Sequence, residues 1–151
     1  MVKRIKTPCI GICSTVFGDE VCRGCKRFQH EVIKWNAYSD HEKEQVWKRL
    51  ESLKVQIMRS KVHITDISLL KNSLDHYRIN HYDQVDPYCW VFDLLKQASE
   101  TIPDIGKFGV KIIQENFKDL SSLKEAIEEE LFVLSEAHYF KYFKYEPHYR
   151  A

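Results

Sequence analysis

The 151 residues carry 23 basic and 22 acidic side chains, a formal charge of +1, with 44% hydrophobic and 13% aromatic residues. That much apolar material excludes global disorder, and 18.0 kDa suits one compact domain or a small module joined to a second. No run of eighteen apolar residues occurs, the richest stretch at 88–95 being broken by Asp93, so no transmembrane helix is expected.

The N-terminus, Met-Val-Lys-Arg-Ile-Lys, starts like a secretion signal but runs into Thr-Pro-Cys without an apolar core. A cytoplasmic location is therefore expected. Cys9, Cys13, Cys22 and Cys25 follow, spaced C-x3-C-x8-C-x2-C. Four thiolates so close can converge tetrahedrally on one soft metal, and a reducing compartment disfavours disulfides. Gly24 inside Cys22-Arg23-Gly24-Cys25 allows a tight curl that aims backbone N–H groups at the sulfurs. His30 and His41 lie near enough in sequence for either to replace a cysteine as ligand.

A first helix is expected from Gly24 or Cys25 to about Ala37, with Phe28, Val32 and Trp35 on one stripe. Its positive end would favour the Cys25 thiolate. Ser39 and Glu42 then read as a capping box opening a helix over about 41–60. Val46, Leu50, Leu53 and Ile57 form its apolar stripe, with Trp47 and Met58 alongside. Lys43, Lys48, Arg49, Lys54 and Arg59 form the opposite face, a candidate surface for a partner or nucleic acid.

Ile67, Leu70, Leu74 and Tyr77 keep helical spacing after a cap at Thr65 or Asp66. Asp86-Pro87 starts a helix to about Ser99, apolar nearly all round and so suited to the core. Cys89 within it reads as a small buried hydrophobe. Pro103-Asp104 opens a further helical pattern through Ile105, Phe108, Ile112, Ile113 and Phe117, which Gly106 and Gly109 each weaken by about 1 kcal/mol. Ser122 and Glu125 form a second capping box, and the last helix runs to about Phe143 with Leu123, Ile127, Leu131 and Leu134 as its stripe. The expected class is all-α. An N-terminal four-cysteine metal-bound knuckle is followed by an amphipathic helix and a helical C-terminal domain, dividing at 1–60 and 61–151.

The sequence around the cysteines resembles a bacterial family. Thr7-Pro8-Cys9-Ile10-Gly11-Ile12-Cys13, then Cys22-Arg23-Gly24-Cys25-Lys26-Arg27, then Glu31 and Trp35, are similar to the "domain of unknown function 1289" family. Its pattern reads S-P-C-x-G-x-C, then C-x-G-C-x-R-T, then a glutamate and a tryptophan before a short polar helix. Thr7 stands where serine is usual and Phe28 where threonine is usual; neither change removes a sulfur. The resemblance covers about residues 7–50. It implies a metal-binding module, labelled in the family as iron–sulfur, and no defined reaction.

Charge divides unevenly. Residues 1–61 hold 13 basic and 7 acidic side chains, hence +6, and residues 62–151 hold 10 and 15, hence −5. The basic half could meet nucleic acid or an acidic protein, or the two halves could dock on each other. The C-terminal stretch from His138 to Arg150 interleaves six aromatics with cations including Lys141 and Lys144. That composition suits single-stranded nucleic acid, a membrane surface or a protein groove, and equally a helical core with a frayed end.

No H-E-x-x-H, phosphate-binding loop or nucleophile–base constellation occurs, so the sequence points away from an enzyme. The expected function is a small metal-binding protein acting as a non-catalytic adaptor with a protein partner. An iron–sulfur protein in electron transfer or redox sensing is the first alternative, and a nucleic-acid binder the second. The spacing matches neither plant-type nor bacterial ferredoxins, which favours zinc; the family label favours iron or an iron–sulfur cluster.

Overall fold

The computed structural model describes residues 5–11, 13–113 and 116–144. They are mostly helical, with five α-helices and one two-stranded antiparallel ladder among them. None of the helices is long and apolar enough to cross a membrane. The chain divides into two units, Met1–Leu53 with Leu131–Ala151, and Lys54–Glu130.

In the first unit, Ser14–Phe17 forms a single 3-10 turn closed by Gly18 in the left-handed region at φ 102°. Val21 and Phe28 then meet across an antiparallel bridge. The Cys22 N–H donates to the Arg27 carbonyl at 2.9 Å and the Lys26 N–H to the Cys22 carbonyl at 2.8 Å, so residues 21–28 form a small hairpin. Helix α1 spans only Gln29–Lys34, followed by a 3-10 turn at Trp35–Ala37. The expected start at Gly24 or Cys25 is thus corrected to Gln29. Lys26 has φ 68°, which interrupts a right-handed helix, and the bridge commits the backbone before it to the hairpin. Lys26, not Gly24, is the left-handed residue of this turn.

Helix α2, Asp40–Lys61, begins as its capping box demands. Glu42 N–H donates to Ser39 Oγ at 3.2 Å and Ser39 N–H to Glu42 Oε1 at 3.1 Å. Val46 and Leu50 bury against Trp35, with Ile5, Tyr38 and Trp47 around them. A second apolar cluster joins Val21, Phe28 and Phe132, with Tyr139 packed on it. Phe132 and Tyr139 belong to α5, Leu120–Tyr139, which continues into one π-helical turn at Phe140–Lys144. Residues 145–151, the end of the aromatic and basic stretch, lie outside the described residues.

The second unit holds the departure from an all-α class. Strand β1, Val62–Ile64, pairs with β2, Val110–Ile112, in the register Val62↔Ile112, His63↔Lys111 and Ile64↔Val110. The helix expected through residues 105–117 is not formed over the described residues of that range. Asp104 accepts the Gly106 N–H at 2.8 Å and caps a single 3-10 turn, Ile105–Phe108. Gly109 at φ 72° then reverses the chain into β2. A Cβ on Gly109 would stand 2.6 Å from the Asp66 carbonyl oxygen, so this approach requires glycine. The β-branched residues at Val62, Ile64, Val110 and Ile112 suit the ladder.

Helices α3, Ile67–His76, and α4, Pro87–Ala98, start at the expected caps. Asp66 accepts the Leu69 N–H at 3.0 Å, and Asp86 the Tyr88 N–H at 2.9 Å. Helix α4 buries Cys89, Trp90, Val91, Phe92, Leu94, Leu95 and Ala98, the core position its all-round apolarity predicted. Helix α5 begins at Leu120 rather than after Ser122, because Asp119 accepts the Ser122 N–H at 2.8 Å. Those Ser122 bonds hold the Asp119 carboxyl below its ordinary value.

Candidate metal centre

The four clustered cysteines are in no disulfide and sit in unlike surroundings. Cys9 is exposed on a segment without regular structure, and its sulfur accepts the Gly11 N–H at 3.3 Å. Gly11 has φ 101°, a conformation that side-chain-bearing residues rarely hold. Cys13 is half-buried before the 3-10 turn, its sulfur 2.8 Å from the Thr15 hydroxyl. Cys22 and Cys25 are buried within the hairpin.

Ser14 ties the two cysteine segments together. Its hydroxyl accepts the Arg23 N–H at 2.8 Å, and its own N–H points to the Cys22 sulfur. The Cys22 sulfur also receives the backbone N–H groups of Cys25 and Gly24 and a hydrogen bond from the Cys25 side chain. Burial pushes the Cys22 thiol up, but these donors outweigh it and bring it from 9.0 down to about 7. Burial raises the Cys25 thiol, only partly opposed by Arg27, whose Nε donates to the Cys25 sulfur at 3.3 Å. The turn thus pairs a thiol brought down by its donors with one pushed up by burial. Among the described residues, no three histidine, cysteine, aspartate or glutamate side chains are gathered as a metal-holding group in this arrangement.

Two residues beside the sulfurs escaped the sequence reading as functional groups. Lys26 is 2% and Arg27 3% exposed. Lys26 Nζ donates to the carbonyls of Arg23 at 2.5 Å and Gly24 at 3.1 Å, closing the underside of the C-x2-C turn. The Arg27 guanidinium also lies 5.0 Å from the Trp35 ring centre. The signal was present, two cations directly after Cys25, but cations in sequence are ordinarily solvated and only the hairpin buries these. Of the two nearby histidines, His30 packs its ring on Phe28 and Phe143 at 5.9 and 4.8 Å, and burial lowers its pKa; His41 is exposed.

The basic face read on α2 is largely engaged. Arg49 Nη1 and Nη2 donate to the two Glu31 carboxylate oxygens at 2.6 Å each, and its guanidinium covers Phe28 at 4.0 Å. Lys43 lies 5.7 Å from the Trp35 ring and Lys54 lies 4.7 Å from that of Phe92. Arg59 stands 3.9 Å from Asp86 and 5.2 Å from the Tyr88 ring. Lys48 is exposed. In the C-terminal stretch Lys141 lies 5.4 Å from the Tyr142 ring; the side chain of Lys144 is outside the described set.

No solved structure matches the chain. It is similar to "Uncharacterized protein YdhL" of Escherichia coli (strain K12) and to the protein of the same name from Shigella flexneri. Each is 46% identical over 44 residues, which is 28% of this chain and 52% of the relative. The chain spans about half the length of these curated relatives. Residues 7–54, which contain all four clustered cysteines, Lys26, Arg27 and Glu31, match the family described as "Protein of unknown function (DUF1289)", the family that the cysteine motifs resemble.

Proposed function

We propose that Cys9, Cys13, Cys22 and Cys25 hold one metal ion, and that the chain is a small non-catalytic adaptor organised by it in the reducing cytoplasm. The observation that carries this reading is the pair of buried cations on the C-x2-C turn. Burying a charge is costly unless countercharge is at hand. Four thiolates around a divalent ion carry a net charge of about −2, which Lys26 and Arg27 would offset. The N–H groups aimed at Cys9 and Cys22 are the donors that steady thiolate ligands.

Zinc is the favoured ion, because tetrahedral four-thiolate sites suit it and the spacing is not that of a ferredoxin. It would cross-link the Cys9–Cys13 segment to the Cys22–Cys25 turn, and the chain's own residues would supply ligands, N–H donors and countercharge. The adaptor role draws on Val16 and Phe17, which stand 78% and 86% exposed on the turn between the two cysteine pairs. A metal that fixed this turn would present an apolar contact to a protein partner.

Protein purified without oxygen should contain about one zinc per chain and lack visible absorption. Metal below stoichiometric amounts overturns the reading, and visible charge-transfer bands with bound iron replace it with the iron–sulfur alternative. Phe17→Ser should keep the metal and lose a partner that co-purifies with the native chain after nuclease treatment.

A further inference from the structure

We infer that the second unit binds a small amphipathic amine, an apolar body carrying one ammonium group, in a cavity between the end of α4, strand β2 and the start of α5. The cavity has a volume of about 700 Å³, and its described lining falls within Lys54–Glu130, so it involves none of the four clustered cysteines. That volume lies in the range of roughly 300–1,000 Å³ common to small-molecule sites. Hydrogen bonds hold its walls. On one side the Thr101 and Ile102 N–H groups both donate to the Ala98 carbonyl, at 3.0 and 3.1 Å, and turn the chain sharply after α4. On another, Ile112 is fixed by the ladder, and the Ile113 N–H donates to the Lys61 carbonyl at 2.8 Å. The third wall begins at Asp119, which caps α5.

Ile102, Ile112 and Phe117 give the cavity apolar lining for the body of the ligand. The charged lining sets the sign of its head. Glu100 and Asp119 are both carboxylates, and among the described residues no ion pair engages either. The Ser122 bonds hold the Asp119 carboxyl below its ordinary value and so keep it ionised. Lys118 is the single basic residue of the described lining, which leaves two carboxylates against one ammonium. Phe117 adds a ring, whose face attracts cations. Lys61 Nζ stands 6.0 Å from that ring's centre, its own charge met by Glu130 at 2.7 Å. Ser99 also lines the cavity at 9% exposure, and its hydroxyl has no hydrogen bond among the described residues, leaving an acceptor for an ammonium N–H. An anion would be repelled by the excess carboxylate. A wholly apolar molecule would displace water from Ser99 and the carboxylates without replacing its bonds. An ammonium on an apolar body meets both parts of the lining.

The test titrates the isotope-labelled full chain with three probes and follows its backbone amide resonances. Phenethylamine carries both body and head, 3-phenylpropionate exchanges the head for a carboxylate, and methylamine lacks the apolar body. Phenethylamine should give saturable shifts centred on Ser99, Ile102 and Ile112, with a dissociation constant below about 5 mM. The other two probes should bind at least about tenfold more weakly. At least one of Glu100→Gln and Asp119→Asn should weaken phenethylamine by about threefold or more. Asparagine caps a helix as well as aspartate does, so the second variant removes the charge and keeps the start of α5. No saturable shift at the cavity, 3-phenylpropionate or methylamine binding as tightly as phenethylamine, or undiminished binding in both variants each overturns the inference.

Discussion

Arg49 grips both oxygens of the Glu31 carboxylate at 2.6 Å, and the same carboxylate accepts the Phe28 N–H at 2.8 Å. One side chain therefore caps α1 and ties it to α2, directly behind the hairpin that carries Cys22 and Cys25. Glu31 is 5% exposed and the pair is bidentate, so loss of either member leaves a charge largely out of water. Glu31→Ala should destabilise the first unit by about 3 kcal/mol. Arg49→Lys should also weaken it, because an ammonium cannot reproduce the two-pronged contact. Chemical denaturation followed by the fluorescence of Trp35 and Trp47 checks this, and an unchanged midpoint for both variants contradicts it.

The second prediction concerns the proposed metal. Serine at Cys9, Cys13, Cys22 or Cys25 should release it, whereas Cys89→Ser, buried within α4, should leave it in place. Arg27→Met should weaken zinc binding by roughly tenfold or more through lost countercharge and the lost bond to Cys25. Competition with a chelator of known affinity measures both. Zinc loss from Cys89→Ser, together with retention in a clustered variant, would show the ligands are misassigned.

A third outcome follows from Asp93 in α4. Burial pushes its carboxyl above the ordinary 3.8, although Lys54, Lys96 and His81 pull it down. A raised carboxyl means that the folded chain binds its proton more tightly than the unfolded chain does. The fold therefore loses stability as pH rises from the ordinary value through the raised one, the reverse of a salt-bridged aspartate. Asp93→Asn should be more stable than the native chain at neutral pH, and the advantage should vanish below about pH 3.8. Denaturation midpoints of both proteins across this range decide it; a destabilised Asn variant at neutral pH would mean the lysines outweigh burial.

Gly109 supplies the fourth. With φ 72° and only 2.6 Å to the Asp66 oxygen for any Cβ, Gly109→Ala must shift the turn. That turn also offers its carbonyl to the N–H groups of Thr65 and Asp66 at 2.8 and 3.2 Å. A loss of about 2 kcal/mol or more is expected, with hydrogen exchange speeding first at Val62–Ile64 and Val110–Ile112. Exchange that stays slow at those residues in the variant would show that the ladder does not depend on this turn.

Much of the fold was legible because helices announce themselves locally. Ser39 with Glu42, Asp66, and Asp86 with Pro87 carry their capping chemistry within four residues of the backbone they satisfy. The apolar stripes of α2 and α3 repeat often enough to show a period. The ladder was not legible. Its strands are three residues each, too short for an alternation to stand out, and they pair across more than forty residues. Ile105, Phe108 and Ile112 happen to fall at helical spacing, yet Gly109 and the Asp66 carbonyl turn that stretch into a loop and a strand.

The cysteine cluster shows the same division. Spacing alone named Cys9, Cys13, Cys22 and Cys25 as candidate ligands, because the number and proximity of sulfurs are properties of the chain. Which sulfurs meet solvent, and which meet cations and N–H groups, is a property of the folded surface. Lys26 adopts φ 68°, the hairpin closes, and two side chains that would ordinarily seek water lie buried beside Cys22 and Cys25. Phe132 and Tyr139, more than a hundred residues away, complete the apolar side by packing on Val21 and Phe28. Ligand type is written in covalent order, but burial and electrostatic environment depend on distant segments arriving at the same place, which only tertiary structure decides.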